Sequence, residues 1–89
     1  MAWTVNLSPK AQRQLSLLDK PIRLRIGNYI DERIIPHSDP IKLTDAMTGS
    51  FVGLRRFRVG DYRLVAEFNL TDMTITIEKI GHRRDVYDD

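Results

Sequence analysis

The chain has no cysteine among its 89 residues. That excludes disulfides and cysteine-ligated zinc, and it fits a reducing compartment. No stretch approaches the ~20 consecutive apolar residues that a membrane-spanning helix needs, so no membrane partner is expected. No charged segment followed by an apolar run opens the chain, so no secretory signal is expected and the expected location is cytoplasmic. Glycine is sparse, with five residues, and proline sparser, with four. The glycines form neither a phosphate-binding loop nor a nucleophile elbow. The two histidines, His37 and His82, lie far apart and have no cysteine to join them in a metal site. Asp85, Asp88 and Asp89 read as acids that solvate the C-terminal end. No metal and no cofactor are expected.

What is present fits one small globular unit. The apolar fraction of 42% is ordinary for a folded domain. Residues 1–89 read as a single domain whose core is modest, because a chain this short buries only about 60% of its unfolded surface. The net charge of +2 conceals a local imbalance. Residues 55–63 hold Arg55, Arg56, Arg58 and Arg63 against one acid, Asp61, which favours an anionic partner.

Ala2–Leu7 alternates Trp3, Val5 and Leu7 with Thr4 and Asn6, the pattern of a short strand. Ser8-Pro9 starts a helix, with Ser as N-cap and Pro in the first turn; Ala11, Leu15 and Leu18 follow at helical spacing, with an end near Leu18 or Asp19. Asp19-Lys20-Pro21 starts a second helix, which Pro36 closes. Ile22, Ile26, Tyr29, Ile30 and Arg33 mark its inner stripe. Gly27 costs about 1 kcal/mol inside a helix, so it is expected where another backbone approaches closely. Residues 36–50, with Pro36, Pro40 and Gly49, read as a loop with one turn of order near Leu43.

The most informative stretch is 54–68. Two apolar-rich runs flank Gly60-Asp61, the composition of a two-residue hairpin turn. With that turn, Val59 opposes Tyr62, Arg58 opposes Arg63, Phe57 opposes Leu64 and Arg56 opposes Val65. One face then carries Phe57, Val59, Tyr62, Leu64, Ala66 and Phe68; the other carries Arg56, Arg58 and Arg63, with Glu67 further along. Like charges placed directly opposite destabilise a sheet. Guanidiniums clustered on a rigid sheet suit the gripping of phosphates. Asn69–Asp72 is a second turn and Met73–Ile80 a third strand, ended by Gly81.

The order strand, helix, helix, three-strand meander defines an α+β domain with both helices on one sheet face. Antiparallel order brings the tail back beside Tyr62 and Arg63. Arg83, Arg84 and Tyr87 can therefore join Arg56, Arg58 and Arg63. A tyrosine among guanidiniums can act as a general base or stack on a nucleobase. His82 has an acid–base range near neutrality and is the second candidate base.

Gly60-Asp61-Tyr62-Arg63-Leu64 after a basic strand, then Gly81-His82-Arg83-Arg84-Asp85-Val86-Tyr87, resembles the RelE/ParE toxin superfamily of bacterial toxin–antitoxin systems. The resemblance covers essentially the whole chain, including Ser8-Pro9-Lys10-Ala11. It implies a small RelE-like α+β domain. RelE-like members are ribosome-dependent mRNA interferases. Carried over, the resemblance implies Arg56, Arg63, Arg83 and Tyr87 as catalytic residues, with Arg55, Arg58, His82 and Arg84 supporting or binding RNA. It implies the ribosome, mRNA and a cognate RelB-like antitoxin as partners. ParE-like members inhibit DNA gyrase instead, and that is the alternative.

Overall fold

The alternation of the chain's second half resolves into a sheet. The computed structural model describes residues 2–87. In chain order it contains β1 (Thr4–Leu7), α1 (Pro9–Ser16), α2 (Lys20–Tyr29) continued by a π-helical turn (Ile30–Ile34), a 3-10 turn (Pro40–Leu43), β2 (Thr44–Ala46), a second 3-10 turn (Gly49–Phe51), β3 (Arg55–Val59), β4 (Tyr62–Asn69) and β5 (Thr74–His82). The five strands form one sheet in the order β1-β5-β4-β3-β2.

The hairpin has the expected register: Arg56 opposes Val65, Phe57 opposes Leu64, Arg58 opposes Arg63 and Val59 opposes Tyr62. Gly60 takes φ +60, the left-handed conformation that a primed turn requires at its first central position. β5 runs two residues further than expected, through Gly81 to His82, so that Gly81 pairs with Arg63.

Two features depart from the expected strand–helix–helix–meander layout. β1 lies in the sheet, parallel to β5, with Val5 beside Ile75 and Leu7 beside Ile77. Parallel neighbours need a long crossover, and here both helices and three further strands intervene. β2 comes from the segment read as loop and pairs antiparallel with β3. Its three residues are too few to show an alternating pattern.

Both helices cover one sheet face. Ala11, Ile26, Ile30 and Ile34 pack on Phe57, Val59, Leu64, Ala66, Ile75, Ile77 and Ile80. The Ser8 hydroxyl accepts from the Ala11 N–H at 3.1 Å and donates to the Glu78 carbonyl at 3.0 Å. Gln14 Oε1 accepts from the Ile80 N–H at 2.7 Å. These two side chains satisfy the β5 backbone where β1 has stopped. Asp19 stands at the N-cap of α2 but makes no capping hydrogen bond through its side chain.

The inner stripe of the second helix ends differently from the expectation. Ile34 is buried, and Arg33 is exposed with its guanidinium 5.7 Å from the centre of the Tyr29 ring. The π turn takes more residues per revolution than an α turn. It advances the inward phase from Arg33 to Ile34.

Gly27 is also corrected: a Cβ there would meet nothing within 4 Å, so no backbone crowds it. Gly27→Ala therefore removes the unfolded-state entropy of glycine without a clash. It is expected to raise stability by about 0.5–1 kcal/mol, read as a higher urea midpoint with unchanged slope.

Candidate functional site

The face of the sheet away from the helices carries the arginines. Strand parity sends Arg56 and Arg58 there from β3, and Arg63 and Val65 from β4. Between the pairs Val65–Lys79 and Ala66–Ile77 the register slips by one residue at Glu78. This bulge turns Lys79 to the arginine face, while Ile77 and Ile80 stay on the helix face.

A second, smaller core forms on this face. Met47, Val65 and Val86 are buried together, with Phe51, Leu54 and Tyr87 packed against them. The tail is held by its backbone. The Arg83 N–H donates to the Asp61 carbonyl at 2.7 Å, and the Asp85 and Val86 N–H groups donate to the His82 carbonyl at 2.8 and 2.9 Å. The returning tail passes close over Gly81: a Cβ there would touch Val86 Cα at 3.4 Å, an ordinary van der Waals contact.

The returning tail sets Tyr87 on Arg56. Arg56 Nη1 donates to the Tyr87 hydroxyl at 2.9 Å, and the guanidinium carbon stands 5.9 Å from the ring centre. Phe51 meets that ring edge-on, with centres 5.9 Å apart. Ala46, Met47, Thr48, Phe51, Arg56 and Tyr87 line an open pocket of about 380 Å³. Arg56 Nε also lies 3.7 Å from Asp45 Oδ2, and Arg58 Nε lies 3.0 Å from the same oxygen. One carboxylate from β2 thus sits between two guanidiniums that strand pairing had already aligned.

The other residues expected at the site are distributed as follows. Arg63 is on the same face, but its Nη1 donates to the Gly60 and Tyr62 carbonyls at 3.0 and 2.9 Å, so at present it serves the turn. Arg83 is exposed at that end, with Nε 3.8 Å from Asp61 Oδ1. Arg84 is exposed, and its N–H donates to His82 Nδ1 at 3.1 Å. His82 pairs with Tyr62, and their rings meet edge-on at 5.5 Å. Parity therefore sets His82 on the helix face, away from Arg56. Arg55 is likewise on the helix face, where its Nε donates to Thr44 Oγ1 at 2.6 Å. Alternation along β3 makes both Arg55 and Arg56 impossible on one side. Asp88 and Asp89 lie outside the described residues, and among the described residues no group of three or more His, Asp or Glu is placed to hold a metal ion. No helix among the described residues is long and apolar enough to cross a membrane.

Three residues at this site had no place in the sequence reading. Asp45 hid in the short β2. Phe51 ends the second 3-10 turn, just past the segment read as loop. Lys79 is buried at 7% exposure, with Nζ 5.8 Å from the centre of the Phe51 ring. Its signal was available: Ile77 and Ile80 are spaced by three rather than two, which marks a bulge and turns the intervening Lys79 outward.

A family model described as ParE toxin of type II toxin-antitoxin system, parDE, matches residues 5–87. No curated protein matches the chain. Among solved structures, the RelBE2 toxin–antitoxin complex from Mycobacterium tuberculosis aligns at 22% identity over 93% of this chain and 100% of that one, with a TM-score of 0.84. The RelB–RelE antitoxin–toxin complex from Methanococcus jannaschii aligns at 26% identity over 93% and 95%, with a TM-score of 0.67. The isolated E. coli RelE toxin aligns at 14% identity over 91% and 84%, with a TM-score of 0.71.

Proposed function

The chain belongs to the ParE toxin family of type II toxin–antitoxin systems, and we propose that it acts as a metal-independent endoribonuclease that cuts mRNA on the ribosome and so arrests translation. The observation that carries this reading is the Arg56–Tyr87 pair, 2.9 Å apart, on the wall of an open pocket beside further guanidiniums. In this reading Tyr87 is the general base that takes the proton of a ribose 2′-hydroxyl. The 2′-oxygen attacks the adjacent phosphorus. The bond from phosphorus to the 5′-oxygen breaks, that oxygen leaves with a proton from water, and the phosphate stays behind as a cyclic diester. Arg56 orients the backbone through its fork. Arg63 and Arg83 offset the charge that the pentavalent phosphate gains, with Arg63 exchanging its turn carbonyls for phosphate oxygens. Arg58 binds the flanking backbone. His82, on the helix face, has no part in the proton transfer.

Arg63→Ala and Arg83→Ala are each expected to lower cleavage by about 10²–10³-fold, the usual cost of losing one donor to a developing anion. The folds should survive, because exposed ion pairs such as Arg83–Asp61 contribute little stability. Two folded variants with undiminished toxicity would remove both residues from the mechanism.

A second reading has its own support, since the matching family model is the ParE one: inhibition of DNA gyrase without nuclease activity. Primer extension on mRNA with purified ribosomes, run beside a gyrase supercoiling assay, separates the two. New 3′ ends that require ribosomes select the nuclease. Inhibited supercoiling without cleavage selects gyrase. Both targets place the protein in the cytoplasm. A RelB-like antitoxin is the proposed partner, supported by solved toxin–antitoxin complexes of the same fold. An acidic segment of it would complement the arginine face and speed encounter.

A further inference from the structure

β3 carries a second basic cleft beyond the Tyr87 pocket. β2 pairs only with Arg55, Arg56 and Phe57, so no β2 residue stands beside Arg58 or Val59 and their outer edge opens toward α2. Arg25, Tyr29, Glu32, Arg33, Arg58 and Gly60 line the resulting cleft of about 310 Å³. Three guanidiniums face one carboxylate. Among the described residues Arg25, Arg33 and Glu32 make no ion pair, and Arg58 meets Asp45 through Nε. Tyr29 subtracts nothing from this charge: burial pushes its phenol above the usual value, against the smaller opposing pull of Arg33. The guanidiniums are also positioned. Arg33 lies over the Tyr29 ring. Arg25 lies against Gly60, where a Cβ would come within 2.7 Å of Nη1.

We propose that this cleft binds a backbone phosphate of single-stranded RNA, as a second contact on the strand that the arginine face engages. The choice of polyanion rests on the RNA reading above, but cleavage is not required for it. A carboxylate matches one guanidinium fork, whereas a phosphate can accept from several donors at once, and three guanidiniums surround one opening here. Arg58 belongs to both surfaces, so one chain can pass from the Tyr87 pocket around the free edge of β3 into the cleft.

The test is fluorescence anisotropy of a labelled single-stranded RNA with 2′-methoxy groups, titrated with the full chain at several salt concentrations. Such RNA has no 2′ proton to lose, so binding is read whether or not the protein is a nuclease. The double variant Arg25→Gln, Arg33→Gln is expected to bind about tenfold more weakly and to lower the slope of log affinity against log salt by about 0.7, one phosphate on a single strand. Arg25→Lys, Arg33→Lys keeps the charge and should keep the slope. A control that removes two exposed charges elsewhere, Arg13→Gln with Lys20→Gln, should lose markedly less affinity. Unchanged affinity and slope in the first variant, an equal loss in the control, or no RNA binding by the wild type would each overturn the proposal. So would a glutamate-rich peptide that binds as tightly as RNA and loses affinity in the same double variant, since that assigns the cleft to an acidic protein.

Discussion

Tyr87→Phe is expected to fold like the wild type and to cleave ribosome-bound mRNA about 10²–10⁴-fold more slowly, the range that loss of a positioned general base covers. The substitution is clean because the ring has two other jobs that survive it. The edge-on contact with Phe51 and the cation–π contact with Arg56 both belong to the ring. Only the bond from Arg56 Nη1 disappears, which costs about 0.5–1.5 kcal/mol. Binding to the loaded ribosome should therefore change little while the single-turnover cleavage rate collapses. Wild-type rates in this variant would leave the phenol oxygen with a structural role only. Arg56→Lys completes the argument. It keeps the charge but loses the fork, and it should also slow cleavage, because Lys offers a point charge rather than a fixed planar donor set.

The parts of this site that could be read in advance are the local ones. Gly60-Asp61 sets the hairpin register, and register alone puts Arg56, Arg58 and Arg63 on one face. The same parity rule, applied to Arg55, would have placed it with Phe57 on the opposite face; adjacency in sequence to Arg56 concealed that. What stayed hidden needed distant partners. Parallel pairing of β1 with β5 depends on residues some seventy positions apart. β2 exists because β3 offers it an edge, and only then does Asp45 reach Arg56 and Arg58. The phase of the second helix shifts through a π turn that no composition rule announces, and Arg33 leaves the core for the surface. That shift puts Arg33 beside Arg58, so the second cleft follows from a backbone irregularity rather than from any run of basic residues.

Val86→Asp is expected to abolish cleavage at least as completely as Tyr87→Phe, but by detaching the tail. Val86 is 1% exposed and packs with Val65 and Met47 in the small core on the arginine face. Its burial is worth about 1.5–3 kcal/mol. An aspartate cannot stay there unpaired, because the cost of burying a lone carboxylate far exceeds that sum. The cheaper response is for residues 83–87 to let go. The helix-face core shares none of its buried residues with this cluster, so the sheet and helices should remain folded, with a melting point lower by on the order of 10 °C. Hydrogen exchange reads the outcome residue by residue. The amides of Arg83, Asp85 and Val86, bonded to the Asp61 and His82 carbonyls, should lose protection, while those of β3, β4 and β5 keep theirs. With the tail go both Tyr87 and the fixed position of Arg83, and with them the proposed base and one phosphate contact. A variant that loses protection throughout the sheet would show that the tail is not a separable unit. One that loses protection only in the tail yet still cleaves would show that the chemistry lies elsewhere on the sheet.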